Sequence, residues 1–528
     1  MNIIVADTLP GSAVALLEAE GWTVDARAGR PAAQLEADLA GADALVVRSA
    51  TKVTAALIAA APRLRAIARA GTGVDNVDVA AATARGIVVM NAPGANSISV
   101  AELAMAQMLS LARKLPAADA SMKSGAWDKK AFMGEEVRGK VLGLAGLGRI
   151  GQEVARRARA FDMTVIAHDP FIARSVADGL GIELVSLEQL VARADFVSLH
   201  MPSTPETRHA FGAALFAKCK PGLKLINTAR GDLIDEAALA DAIRDGRIGG
   251  AALDVFASEP TVDHALQQLP QVIASPHIAA STREGQELVG VETASALRDF
   301  LRTGVIRNAV NFPSVPAEEF QRLQPYIALG ERLGFLLGSL GEARIEGLGV
   351  RYYGELASGR HPLVVNAVLV GLFHAILSDA VTPVNAHAVA DARGIEVTES
   401  TSSRTRAVQT VLSVKLFTDA GERWAEGTVV NRLPRLMLLD GVGVEAPLDG
   451  TLLVVHNHDR PGVIGEVGTI LGRHGINIAN FALGRADGGA VGVVSVDVPD
   501  GELPDAVLRE IRAANAVKTA WMVPAQLT

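Results

Sequence analysis

Cysteine is almost absent from this chain. The single residue, Cys219, excludes an intramolecular disulfide and leaves no cysteine cluster for zinc, so a reducing compartment and no metal are expected. A basic block is also missing. The 50 Lys and Arg residues are outnumbered by 58 Asp and Glu, giving a formal charge of -8, which argues against a partner with a phosphate backbone. No apolar run reaches the roughly 20 residues of a membrane span. The longest, Leu363 to Leu377, is interrupted by Asn366, Gly371 and His374 and reads as a core helix. The opening MNIIVADTLPG enters an alternating apolar stretch without the charged start and apolar core of a secretion signal. The expectation is a soluble, cytoplasmic protein that binds neither nucleic acid nor membrane. Low-complexity segments and short-period repeats are absent as well.

The 528 residues suffice for three or four domains. Up to about residue 100, short β-branched runs (NIIVAD, ALVVRSA, IVVMNAP) alternate with alanine-rich helical patterns. Apolar strands between helices predict a parallel sheet covered on both faces. A helical segment at 100 to 115 follows, and the rhythm restarts from Lys140 in VLGLAG, TVIAHDP, FVSLHMP, KLINTA, GAALDV and VIASPH. This predicts a second doubly wound sheet ending near residue 280. Residues 284 to 303 read as a helix, and the proline-spaced NFPSVPAEEF at 311 to 320 reads as a linker. A helical start and later strand-like runs, RTRAVQTVLSVKLF among them, predict an α+β unit over about 320 to 450. Beyond VGVEAPLDG, the order strand, helix, two strands, helix, strand predicts a ferredoxin-like βαββαβ unit. The expected class is therefore α/β, with two doubly wound parallel-sheet domains followed by two α+β units.

GLGRIG at 146 to 151 carries the GxGxxG spacing through Gly146, Gly148 and Gly151. The spacing alone is weak, but here it ends an apolar strand and opens a helix. That context turns backbone N–H groups and the positive helix end toward a pyrophosphate. A further strand ends in Asp169, close to the roughly 20-residue offset of a ribose-binding acid. A carboxylate there accepts from the 2′ and 3′ hydroxyls and repels a 2′-phosphate, which favours NAD over NADP.

Three polar residues follow expected strand ends in the same unit: Arg230 after KLINTA, Glu259 after GAALDVFAS, and His277 after VIASP. Ligands of open α/β sheets bind beyond the carboxyl ends of strands, so the three can share one crevice. Oxidation of a secondary alcohol needs an acceptor for the hydroxyl proton while hydride leaves, a role suited to His277. Glu259 can orient the imidazole and raise its pKa, and the Arg230 fork can grip a carboxylate. Taken singly, each reads more readily as an ordinary loop residue; their joint placement carries the reading.

GLGRIG (146 to 151), NTARGDLIDEAAL (227 to 239), AALDVFASEP (251 to 260) and SPHIAAST (275 to 282) resemble the motifs of the D-isomer-specific 2-hydroxyacid dehydrogenases, and the likeness spans residues 1 to 310. It implies the same catalytic set, Arg230, Glu259 and His277. It also implies NAD contacts from Arg149, Ile150, Asp254, Thr72, Pro202 and Thr228. VRSATKVT (47 to 54), RAGTGVDNVD (69 to 78) and NAPGANSISVAEL (91 to 103) resemble the phosphoglycerate dehydrogenase branch. That likeness implies substrate contacts from Arg48, Ser49, Gly73, Val74 and Asn96, with 3-phosphoglycerate as substrate and L-serine biosynthesis as the setting. Arg48, directly after the apolar ALVV, is the one of these that the residues themselves single out.

TPVNAHAVADARGIEVTES (382 to 400) resembles the intervening domain of the long members of that branch, and HDRPGVIGEVGTILGRHGINIANF (458 to 481) resembles an ACT domain. The latter implies a possible L-serine effector contacted by Asp459 and Asn477, in a pocket formed by two such domains. The implied division is a flavodoxin-like substrate-binding domain at 1–98 and 283–311, a Rossmann NAD domain at 99–282, an intervening allosteric domain at 312–449 and an ACT domain at 450–528. A homodimer or homotetramer is expected. The alternatives are a dehydrogenase of another D-2-hydroxyacid and an NADH-sensing, non-catalytic protein of the corepressor type.

Overall fold

A computed structural model describes residues 1–261, 265–341, 343–359, 361–377, 381–404, 406, 408–486, 489–498 and 503–525. Positions 405 and 407 of the expected run RTRAVQTVLSVKLF thus lie outside the described residues.

The first sheet contains β1 (Asn2–Val5), β2 (Thr23–Ala26), β3 (Ala44–Val47), β4 (Ala66–Arg69) and β5 (Val88–Met90). All pairings are parallel, in the order β2-β1-β3-β4-β5. The four residues of β3, ALVV, are all buried, as a strand covered on both faces requires. One face is closed by Ala294, Leu297 and Leu301 of the helix Arg283–Thr303, so a distant segment returns to this sheet.

The second sheet contains β6 (Val141–Ala145), β7 (Thr164–His168), β8 (Glu183–Leu184), β9 (Phe196–Leu199), β10 (Leu223–Asn227), β11 (Ile248–Leu253) and β12 (Val272–Ala274). Its order is β12-β11-β10-β9-β6-β7-β8, again with parallel pairings. The order reverses between β6 and β9, the switch point where nucleotides bind in such sheets. The bridging helix Ser97–Arg113 begins three residues earlier than expected and packs Ala104, Met105, Met108 and Leu111 into this domain. At Lys114 the chain turns left-handed (φ 51°), and a second helix, Leu115–Lys123, follows without a single buried residue.

The third sheet is mixed: β13 (Ile345–Tyr353), β14 (Glu396–Ser402), β15 (Val411–Thr418), β16 (Gly421–Val430), β17 (Leu433–Leu439) and β18 (Val442–Pro447), with only β13 and β14 parallel. Helices Ala317–Ser339 and Pro362–Ile376 share its core. The last residues of the expected linker start the first of these helices, because Pro316 costs nothing at a helix entry where no N–H is needed. Gly371, which interrupts the longest apolar run, lies where the two helices touch: a β-carbon there would stand 1.9 Å from the Glu331 carbonyl.

The fourth sheet is antiparallel, in the order β20-β21-β19-β22, from β19 (Thr451–Asn457), β20 (Asn477–Ala486), β21 (Gly489–Asp497) and β22 (Val517–Val523). Helices Val463–Arg473 and Asp505–Arg512 cover one face. Leu452, Val454, Val491 and Val493 on its other face join the core of the third sheet. The third unit also touches the first: Thr382 Oγ1 donates to the Gly86 carbonyl at 2.9 Å, and Asn385 Nδ2 to that of Ala84 at 3.3 Å. Among the described residues, no helix is long and apolar enough to cross a membrane.

Candidate active site

Each glycine of the GLGRIG turn has its own steric reason. Gly146 is at φ 101°, and a β-carbon on it would stand 2.6 Å from the His200 carbonyl. Gly148, the cap of the helix Arg149–Ala160, has open space where its side chain would be, so a ligand can approach its backbone. At Gly151 a β-carbon would fall 2.3 Å from the Gly146 carbonyl, so only glycine lets the helix start so close to the strand. Asp169 follows β7 and accepts from the N–H of Leu147 at 2.8 Å, tying this carboxylate to the turn. Its other oxygen accepts from the N–H groups of Phe171 and Ile172. Thr228, after β10, is buried with Oγ1 unpartnered among the described residues, and Pro202 lies in the loop after β9. Ile150 packs inward against the domain core, and the Arg149 guanidinium crosses to the Pro93 carbonyl of the first domain. The open Gly148 backbone, the helix start and the unmet Thr228 hydroxyl fit a dinucleotide.

Arg230, Glu259 and His277 meet as expected. They follow β10, β11 and β12, which are adjacent and parallel, so their carboxyl ends open on one side. His277 Nδ1 lies 2.6 Å from Glu259 Oε2, leaving Nε2 free, and the Phe256 N–H donates to Glu259 Oε1 at 3.0 Å. Burial alone would raise the Glu259 carboxyl, but the bonds from His277 and Phe256 outweigh it and hold the group below its usual value. The bond to Glu259 raises the His277 imidazole above its usual value against the opposing effect of burial; the Glu259 and Asp254 charges add to the rise, and Arg230 opposes it.

Arg230 faces the first domain. Its Nη2 is 3.0 Å from Asp75 Oδ2 and would stand 1.9 Å from a β-carbon on Gly73. Two more guanidiniums lie nearby, Arg69 within electrostatic reach of Arg230 and Arg48 within reach of Arg69. Arg48, half-buried after β3, reaches the Thr8 carbonyl, and its own N–H donates to the buried Asp7 at 2.6 Å. Arg69, at the end of β4, has Nε buried without a partner among the described residues, and its pKa is drawn down by burial and by the charges of Arg230 and Arg48. Arg69 and Asp75 were not among the expected site residues. The signal that singled out Arg48, a charge closing an apolar strand, is equally present in AIAR. Thr72 Oγ1 donates to Asn96 Oδ1 at 3.0 Å, Val74 packs partly buried on the first sheet, and Ser49 is exposed beside Arg48.

Asp254 differs from the expectation of cofactor contact. It is fully buried, and both carboxylate oxygens are taken by the turn that follows β12. Asp459 and Asn477 are not brought together within one chain. Asn457 and Arg485 both align with Ala490, whereas Asn477 aligns with Asp497 at the opposite end of the sheet. Asp459 pairs with Arg485 at 3.4 Å, and Asn477 donates to Asp497 at 2.8 Å, so the two stand roughly 20 Å apart.

Residues 105–279 match the NAD binding domain of the D-isomer specific 2-hydroxyacid dehydrogenases, 322–439 the D-3-phosphoglycerate dehydrogenase intervening domain, and 451–516 the ACT domain. The chain is 42% identical to the D-3-phosphoglycerate dehydrogenase of Methanocaldococcus jannaschii over 99% of both chains. The chain belongs to the D-3-phosphoglycerate dehydrogenase family. The Mycobacterium tuberculosis member is also 42% identical, over 97% of each chain. Among solved structures, D-lactate dehydrogenase from Aquifex aeolicus, complexed with NAD and lactic acid, matches with a TM-score of 0.53 at 28% identity, covering 60% of this chain and all of that one. The molecule is thus an NAD-dependent oxidoreductase of the α/β class.

Proposed function

We propose that this enzyme oxidises 3-phospho-D-glycerate to 3-phosphohydroxypyruvate with reduction of NAD+, the entry step to L-serine. The observation that carries the reading is the His277–Glu259 pair at 2.6 Å, facing Arg230 beside Arg48 and Arg69. A substrate with an anionic group at each end, and the reacting hydroxyl between them, suits such a set. His277 Nε2 takes the hydroxyl proton, Glu259 stabilises the imidazolium, and Arg230 grips the carboxylate. Arg48 and Arg69 hold the phosphate, with Ser49, Gly73, Val74 and Asn96 shaping the same pocket. Gly146 to Gly151, Asp169 and Thr228 would hold NAD, which would supply the hydride acceptor. Asp254, without exposed surface, positions the histidine turn. NADH formation from 3-phospho-D-glycerate by the purified chain tests this reading; formation only from another D-2-hydroxyacid overturns it.

The division 1–98 with 283–311, 99–282, 312–449 and 450–528 accords with the four sheets. Self-association is supported by the arm after the bridging helix, where Leu115, Met122, Trp127 and Met133 are 53–77% exposed. Exposed apolar side chains along one arm suit a protein contact, and a second copy of this chain is the proposed partner. L-serine is proposed as effector of the ACT unit. The separation of Asp459 from Asn477 in one chain means that such a pocket needs two copies. The reducing setting suggested by lone Cys219 supports a cytoplasmic location.

A further inference from the structure

The turn that carries His277 is anchored by a buried chain of hydrogen bonds beginning on a different element. The His277 N–H donates to the Asp254 carbonyl at 2.8 Å. The N–H groups of Ile278 and Ala279 donate to the two Asp254 carboxylate oxygens at 2.9 and 2.8 Å, and the Ser275 hydroxyl donates to Oδ1 at 2.5 Å. Together these bonds hold His277 at φ 53°, a left-handed conformation that a residue with a side chain keeps only when its surroundings dictate it.

The chain continues one step further. Gln107 Nε2, on the bridging helix, donates to Ser275 Oγ at 3.0 Å. Gln107 is buried on the helix face that also bears Ala104 and Leu111, and its Oε1 has no partner among the described residues. For the core alone, an apolar residue of the same shape would serve better, since an unmet buried acceptor is unfavourable. The amide donor must therefore have its own use. A hydroxyl has one proton; with Gln107 donating into Ser275, that proton has only Asp254 to go to. Two helical turns earlier, Ser99 Oγ lies 2.7 Å from Thr282 Oγ1, the residue that caps the helix Arg283–Thr303. The bridging helix thus grips the segment 275–282 at both ends, from points about 12 Å apart along its axis.

We propose that Gln107 is a positioning residue for His277: it orients the Ser275 hydroxyl onto Asp254, Asp254 fixes the turn, and the bridging helix acts as the splint. This inference rests on the reading of His277 as proton acceptor. The charged groups facing His277 are Glu259, Asp254 and Arg230. Loosening the turn weakens the bond to Glu259, so its consequence is a misplaced base of lower pKa.

The test uses the full-length chain with Gln107→Met, Ser275→Ala and the double variant. Gln107→Met is expected to lower kcat roughly tenfold, while KM and the NADH dissociation constant stay within about twofold. The acidic limb of kcat/KM moves to lower pH. Ser275→Ala is expected to show the same loss, and the double variant no further loss, because both remove one link of a single chain. Unchanged kcat in Gln107→Met, or losses that multiply in the double variant, overturn the proposal. If Gln107→Met does not accumulate as folded protein, Ser275→Ala decides, since it removes the linking hydroxyl at the cost of a single oxygen. Absence of NADH formation by the unaltered chain would instead fail the functional reading, leaving the two failures distinct.

Discussion

Arg230, which follows the second sheet, and Asp75, in a loop of the first, form an ion pair at 3.0 Å across the cleft between the two domains. The arginine assigned to the substrate carboxylate is therefore held by a carboxylate of the protein. Asp75 is largely exposed, so its hold on Arg230 is weak, about 1 kcal/mol at most. Asp75→Asn is expected to lower KM for 3-phospho-D-glycerate by up to about fivefold at low ionic strength, with kcat little changed. Initial-rate measurements at two salt concentrations check this, because screening should shrink the difference.

The His277–Glu259 pair sets a pH dependence. With His277 as the proposed proton acceptor, oxidation needs it neutral, and the raised pKa places the acidic limb above the ordinary histidine value near 6.5. Glu259→Gln removes the carboxylate that raises it, so the limb moves to lower pH and kcat falls by roughly 10². The reverse reaction needs the imidazolium and should lose rate as pH rises through the same pKa. The sign for folding agrees: His277 contributes stability below its unfolded pKa and loses it as pH rises through the folded one.

Gly151→Ala tests the nucleotide turn separately from the chemistry. The added methyl would meet the Gly146 carbonyl at 2.3 Å and push the helix start away from the strand. NADH affinity, read by fluorescence titration, is expected to fall at least about tenfold, while the His277 turn stays intact.

Much of this was legible in the sequence because it depends on local pattern. The apolar strands, the glycine turn and the strand-end positions of Arg230, Glu259 and His277 follow from periodicity and from where parallel strands place their ends. What pairing between distant segments decides was not legible. Asp75 reaches Arg230 through the apposition of two domains, and Gln107 reads as one more position on an alanine-rich helix until Ser275 is beside it. Asp459 and Asn477, which motif likeness assigns to a pocket between two ACT domains, lie at opposite ends of one sheet, so a single chain does not join them. Arg69 is a plain omission, since it ends its strand as Arg48 follows its own.

The exposed arm makes a prediction about assembly. Replacing Leu115, Trp127 and Met133 together by serine is expected to shift the chain toward monomer in light scattering coupled to size exclusion. The bridging helix should remain folded, because none of the three lies within it. Retention of the original mass would place the contact elsewhere.

The phosphate is what separates the proposed substrate from its nearest analogue, so the most direct test compares 3-phospho-D-glycerate with D-glycerate at saturating NAD+. Arg48 and Arg69, one of them with a buried unmet donor, favour the phosphorylated acid. The account predicts a kcat/KM at least about a hundredfold higher for 3-phospho-D-glycerate, as expected when a site's polar groups are left unpaired by the lesser ligand. Equal values, or a preference for D-glycerate, would contradict it.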